Sequence, residues 1–110
     1  MVQDVLGGFQ QIVMLAVLRL GEDAYGTRIQ QELESTAGRS VAISTIYVTM
    51  DRLSRRGFVQ SWLADPTPVR GGKAKRYYRL TPDGLRALHA SRLELDKMWD
   101  GVETKPEPGS

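Results

Sequence analysis

Arg70-Gly71-Gly72-Lys73-Ala74-Lys75-Arg76-Tyr77-Tyr78-Arg79-Leu80-Thr81 is the stretch on which the reading of this chain turns. Two glycines form a loop tip that bends sharply, five basic residues surround it, and two tyrosines open a short apolar strand. Glycine lets a backbone come close to a ligand, and Lys and Arg supply charge, so the stretch has the makings of a finger for a phosphate chain. Taken alone, it reads equally well as a solvated hairpin. The segment Thr45-Ile46-Tyr47-Val48-Thr49-Met50-Asp51-Arg52-Leu53-Ser54-Arg55-Arg56-Gly57 tips the balance, because it has helical spacing, three arginines and a terminating glycine.

Between these two lies Phe58-Val59-Gln60-Ser61-Trp62-Leu63, rich in aromatic and branched residues and ended by Pro66 and Pro68. It pairs as a strand with Ala74 to Leu80 across the glycine-tipped loop. Upstream, Ser44 is the expected cap of a helix that runs through Arg56 and stops at Gly57. On a helical wheel Ile46, Met50 and Leu53 form its buried stripe, with Tyr47 at the margin. Thr45, Thr49, Arg52 and Arg56 line the opposite face beside Val48 and Arg55, with Asp51 at its edge. Hydroxyls, a branched methyl and guanidinium groups are the types that hydrogen-bond bases and phosphates and touch thymine methyls.

The N-terminal part reads as two helices. The first, over residues 5–20, is apolar on every side at its centre, which in so small a domain calls for a partner chain over one face. Gly21-Glu22-Asp23 makes a turn, with Asp23 the expected cap of a second helix to Ala37 that faces Ile29 and Leu33 inward. Val41-Ala42-Ile43 reads as a short strand. Beyond the hairpin, Thr81 caps a last helix with Pro82 at its first position. Leu85, Leu88, Arg92, Leu95, Trp99 and Val102 then recur at spacings close to a heptad seam. The tail from Glu103, with Pro106, Pro108 and Gly109, is expected to be disordered.

The expected fold is therefore α+β, mostly α: a winged helix-turn-helix over residues 1–81, a C-terminal dimerisation helix over 82–102, and a tail over 103–110. In this arrangement the third helix enters the major groove of double-stranded DNA.

Composition narrows the function. The 110 residues make one domain. Without cysteine there is no disulfide and no thiolate metal site, and His89 is the single histidine, so no metal, no cofactor and no catalytic dyad are expected. Gly71-Gly72-Lys73 lacks the earlier glycine and the following Ser or Thr of an NTPase phosphate loop. An enzyme is not expected. The apolar run Ile12 to Leu18 follows an acid, Asp4, and is too short to span a bilayer, which predicts a soluble, cytoplasmic chain with no membrane partner.

Charge is segregated. Residues 39–79 hold nine basic side chains against Asp51 and Asp65, while the rest of the chain holds six basic against eleven acidic. One basic face for a polyanion is the direct reading. Thr45, Thr49 and Arg52 are then the candidates for base edges, and Arg56, Lys73, Lys75 and Arg76 for phosphates, with Ser44 and Tyr47 at the same surface. Tyr47, Tyr77 and Tyr78 each combine a ring that can anchor core with a hydroxyl that can reach phosphate, and Tyr78 is the expected core member. Trp62 is also expected in the core. A rival reading is a winged helix used as a protein-interaction module, its basic wing docking an acidic partner.

The ordered set Tyr25-Gly26, Thr45-Ile46-Tyr47, Met50, Arg52-Leu53, Gly57, Ser61-Trp62, Gly71-Gly72-Lys73, Lys75 to Thr81 and Gly84 resembles the PadR family of bacterial transcriptional regulators. The resemblance spans roughly residues 9 to 89 and is to the compact branch with one short C-terminal helix. It departs from the family at Ser44, where Gly is usual, at Val48, where Pro is usual, and at Ser54, a commonly acidic position. The resemblance implies a homodimer on an operator near its own or neighbouring genes, usually a repressor. It also implies release, often by a phenolic, aromatic or drug-like small molecule, or else by another signal. In some relatives flat aromatic drugs lie between tryptophans of the two C-terminal helices. Trp99 lies about one turn beyond that position, on the same face as Leu95, and the two are here either the lining of such a pocket or plain dimer packing.

Overall fold

The computed structural model describes residues 6–64 and 74–102. Its elements are α1 (Gly8–Leu20), α2 (Gly26–Ala37), α3 (Ile43–Arg55), β1 (Val59–Leu63), β2 (Arg76–Leu80) and α4 (Pro82–Trp99), with a single 3-10 turn over Gly21–Asp23. This is the winged helix-turn-helix read from the sequence, mostly helical with one two-stranded antiparallel sheet.

The core is made where α1, α2 and α3 meet. Val13, Met14 and Val17 of α1, Ile29 and Leu33 of α2, and Ile46, Met50 and Leu53 of α3 are all buried in it. These residues recur three and four apart on each helix, the spacing that puts an apolar stripe on one face. Phe58, Val59 and Tyr78 extend the core under the wing, which bears out the expectation for Tyr78. Burial raises the Tyr78 phenol above its ordinary pKa, with Tyr47 a secondary cause, so the ring stays neutral.

Three expected local features are absent. Val41 to Ile43 is not a strand: Ile43 already begins α3, and Ala42, extended, is its N-cap. Ser44 therefore sits inside the first turn and is not the cap; the Ala42 carbonyl accepts from the N–H groups of Thr45 and Ile46. The third partner of the wing comes from elsewhere. Tyr25 forms an isolated bridge with Tyr77, and the Tyr78 N–H donates to the Ala24 carbonyl at 2.9 Å. Asp23 likewise does not cap α2; it closes the 3-10 turn, and Tyr25 is the N-cap.

α4 starts as expected. The Thr81 hydroxyl accepts from the Gly84 N–H at 3.0 Å, and Pro82 occupies the first turn. The same hydroxyl donates to the Gly57 carbonyl, and the Thr81 N–H donates to the Phe58 carbonyl, stapling the end of the wing to the end of α3. Only Gly84 fits here, since a Cβ at position 84 would lie 2.1 Å from the Phe58 carbonyl oxygen. After Leu88, 7% exposed, the helix leaves the body: Leu93, Leu95, Met98 and Trp99 are all exposed, Trp99 at 62%. Leu15 and Leu18 on the outer side of α1 are exposed as well, each 45%. Among the described residues no helix is long and apolar enough to cross a membrane.

Candidate nucleic-acid interface

α3 and the wing are the two walls of an open groove of about 1170 Å³. Val48, Asp51, Arg52 and Arg55 line it from α3; Ser61, Leu63, Lys75 and Arg76 line it from the wing; Tyr25 and Thr27 close the end at the start of α2.

The wing wall follows from strand pairing. Ser61 stands opposite Tyr78 and Leu63 opposite Arg76, and because side chains alternate, Val59, Ser61, Leu63, Arg76, Tyr78 and Leu80 share one face. That face sinks Tyr78 into the core and turns Arg76 to the groove, its Nη1 donating to the Ser61 hydroxyl at 3.0 Å. Gln60, Trp62, Tyr77 and Arg79 occupy the other face. Trp62, expected in the core, is 43% exposed there, stacked on Tyr77 with the Arg79 guanidinium 5.6 Å from its ring. Lys75 sits with its ammonium 4.2 Å from the centre of the Tyr25 ring, a cation–π contact that steers the charge without neutralising it. Lys73 lies outside the described residues, as do Arg70, Gly71 and Gly72.

The α3 wall differs in phase from the wheel drawn on the sequence. Thr49 is not on the exposed face: it is 8% exposed, and its hydroxyl donates to the Thr45 carbonyl at 2.9 Å. A threonine that bonds back to the preceding turn hides its polar atom and packs its methyl like an apolar residue. The exposed residues are Ser44, Thr45, Tyr47, Val48, Asp51, Arg52, Ser54 and Arg55. Asp51, expected at the edge, is therefore on the crest, four residues before Arg55 and paired with it at 2.7 Å. Arg52 flanks that crest and pairs with no carboxylate among the described residues.

Arg56 is tied to the interior of the fold. It is half-buried, donates to the Gln10 Oε1 of α1 at 3.2 Å, and lies over the Phe58 ring at 4.8 Å. These contacts join the end of α3 to the start of α1 and oppose its expected role as a phosphate grip. Tyr47 lies across the start of α2. A Cβ on Gly26 would fall 2.5 Å from its hydroxyl oxygen, so glycine at the first residue of α2 is what admits the ring.

At the far end of the molecule, Leu95 and Trp99 stand exposed on α4. An apolar cleft does open nearer the body, between Val17, Leu18 and Gly21 on one side and Leu80, Pro82 and Leu85 on the other.

The family described as transcriptional regulator PadR-like matches residues 14–90, which takes in α2, α3 and both strands of the wing. A curated transcriptional regulator of Mycobacterium tuberculosis is 36% identical over 69% of this chain, and the match spans 66% of that protein's length, just under two thirds. A PadR family transcriptional regulator from Eggerthella lenta has a similar structure, with TM-score 0.65 and 33% identity over 84% of this chain and 78% of that one. A transcriptional regulator from Clostridium thermocellum, 22% identical, shares the fold with TM-score 0.68 over 83% of this chain and 85% of that one.

Proposed function

The chain belongs to the PadR-like family of transcriptional regulators, and from that premise we propose that it is a sequence-specific regulator acting on a double-stranded DNA operator as a homodimer, most simply as a repressor. The observation that carries this reading is the groove between α3 and the wing. A helix with an arginine-bearing crest stands beside a strand that presents Lys75 and Arg76. A helix of this kind enters the major groove while the wing reaches across the adjacent phosphates.

Within that reading, Arg52 and Thr45 meet base edges or the sugar–phosphate rim, and Lys75 and Arg76, with Lys73 beyond the described residues, supply charge to phosphates. Residues 1–81 act as the DNA-binding unit and α4 as the dimerisation helix. The exposed Leu15 and Leu18 of α1, with Leu95, Met98 and Trp99 of α4, support a two-fold interface in which each copy covers the other's apolar surface. A flat aromatic effector fits the same reading if Leu95 and Trp99 of the two copies face each other. The protein then works by binding alone, in the cytoplasm, with no catalytic step and no cofactor.

The test is footprinting on duplex DNA upstream of the protein's own gene. Two protected half-sites related by two-fold symmetry, about 34–36 Å apart or at a multiple of that, are expected. Weak retention that is indifferent to sequence and vanishes with moderate salt would refute the assignment and favour an acidic protein partner.

A further inference from the structure

The crest of α3 carries a carboxylate where a polyanion would dock, and that placement asks for an explanation. Asp51 is the single acid of α3. It lines the groove together with Val48, Arg52 and Arg55, facing Lys75 and Arg76 across it. A carboxylate on such a surface opposes binding to phosphates unless its charge is compensated and its oxygens find donors.

We propose that Asp51 and Arg55 form the base-reading couple of α3, in which Asp51 positions the Arg55 guanidinium for a guanine and itself accepts a hydrogen bond from the amino group of a cytosine. The inference rests on the DNA-binding reading above and adds to it which residues discriminate sequence.

The geometry supports each half. Asp51 Oδ2 lies 2.7 Å from Arg55 Nη2 in an ion pair, and Asp51 Oδ1 has no donor among the described residues. One carboxylate oxygen is thus used to hold the arginine and the other remains open, and cytosine N4–H is the base donor that a carboxylate reads in the major groove. A guanidinium carries five N–H donors on a rigid plane. With one committed to Asp51, the remaining edges can still form the bidentate pair with guanine O6 and N7. The pairing also settles where the arginine acts. Helical side chains lean toward the N-terminus, so Arg55, last residue of α3, brings its charge back over the turn of Asp51 and toward Val48. Arg52 has no such tether, which suits a contact that follows the phosphate backbone rather than one base.

The competing account is an ordinary solvated i,i+4 ion pair on a helix surface, with side chains 76% and 59% exposed. The two accounts give opposite results in one experiment. Full-length wild type, Asp51→Ala, Asp51→Asn and Arg55→Ala would each be put through binding-site selection on random duplex DNA, with affinities measured for the wild-type consensus and for an unrelated duplex. If the couple reads bases, the wild-type half-site contains a guanine and a nearby cytosine at fixed positions. Asp51→Ala then loses the cytosine preference and weakens the guanine preference by about tenfold, while binding the unrelated duplex more tightly because an acid is gone. Arg55→Ala flattens the guanine position. Asp51→Asn keeps the side-chain shape, so it gives a readout if the alanine variant folds poorly; its amide oxygen can still accept from an amino group while its NH2 now donates, so the cytosine preference shifts toward adenine. An unchanged consensus in Asp51→Ala and Asp51→Asn, with affinity raised uniformly, would overturn the proposal and leave the pair as a solvated one. A wild type that selects no consensus at all would overturn the DNA-binding reading itself.

Discussion

A methyl group at position 84 has nowhere to go. The Cβ of an alanine there would stand 2.1 Å from the Phe58 carbonyl oxygen, 2.9 Å from its carbonyl carbon and 3.1 Å from its Cα. All three are backbone atoms, so no rotamer change relieves the clash. The first turn of α4 must withdraw by roughly 1 Å or more to restore ordinary contact. Withdrawal stretches the Thr81 N–H bond to the Phe58 carbonyl and the Thr81 hydroxyl bond to the Gly57 carbonyl, now 3.0 and 2.6 Å long. Overpacking of this kind costs about 1–3 kcal/mol, and each strained hydrogen bond about 1 kcal/mol. Against this, alanine gains about 1 kcal/mol over glycine in a helix interior. The net expectation for Gly84→Ala is a loss of about 2–4 kcal/mol, and a midpoint of thermal unfolding lowered by roughly 10–20 °C. Urea unfolding at one fixed protein concentration measures it, since association shifts apparent stability. Glu94→Ala, on the exposed part of α4, serves as control and should stay within about 0.5 kcal/mol. A Gly84→Ala protein as stable as wild type, or more so by the helix-propensity gain, would refute the close packing of α4 on Phe58.

Three further outcomes are expected. Replacing Leu95 by Glu should put a charge into the proposed two-fold interface twice over, raising the dimer dissociation constant by more than about tenfold as read by sedimentation, with DNA binding weakened in step. Changing Lys75 and Arg76 together to Ala should lower affinity for all duplexes alike and reduce the slope of log K against log salt by about one per lost phosphate contact; a changed consensus would contradict it. Glu32 accepts from the Thr36 hydroxyl at 2.6 Å and from Arg19 Nε at 2.7 Å, and these bonds, the hydroxyl first, hold its pKa below the ordinary carboxylate value. A group with a lowered native pKa stabilises the fold above its unfolded value and loses that contribution as pH falls through the native one. Stability measured from pH 7 down to pH 3 should therefore drop less steeply in Glu32→Gln than in wild type.

What the sequence made legible was local. Thr81 followed by Pro82 signals a capped helix start, and the cap forms as read because donor and acceptor lie within three residues. The strands of the hairpin and the stripe of Ile46, Met50 and Leu53 declare themselves through period and composition. The phase of the outer face of α3 did not, because Thr49 counts as polar on a wheel yet satisfies its hydroxyl within its own helix. Arg56 read as one more basic residue of a cluster, while its partner Gln10 lies on another helix, far away in the chain. Val41 and Ile43 have the branched side chains of a strand, but Ile43 already enters α3, and the place beside β2 is taken by Tyr25, which carries no strand signal around it. Trp62 has the size of a core residue, and only the alternation set by the register with Tyr77 turns it outward.

The bridge at Tyr25 has a mechanical consequence. The run Gly21 to Ala24 that links α1 to α2 leads directly into contacts with β2, through the Ala24 carbonyl and the Tyr25 bridge. A tilt of α1 is thus delivered to the root of the wing along the chain itself, through buried Ala24, as well as by the packing of α1 on β2. The wing behaves as a lever whose fulcrum is that linker and whose free end carries Lys75 and Arg76 along the rim of the groove. An event felt at α1, such as a change in how two copies meet, would re-aim the lever against α3 and alter the span it must bridge over a DNA strand, leaving each helix intact.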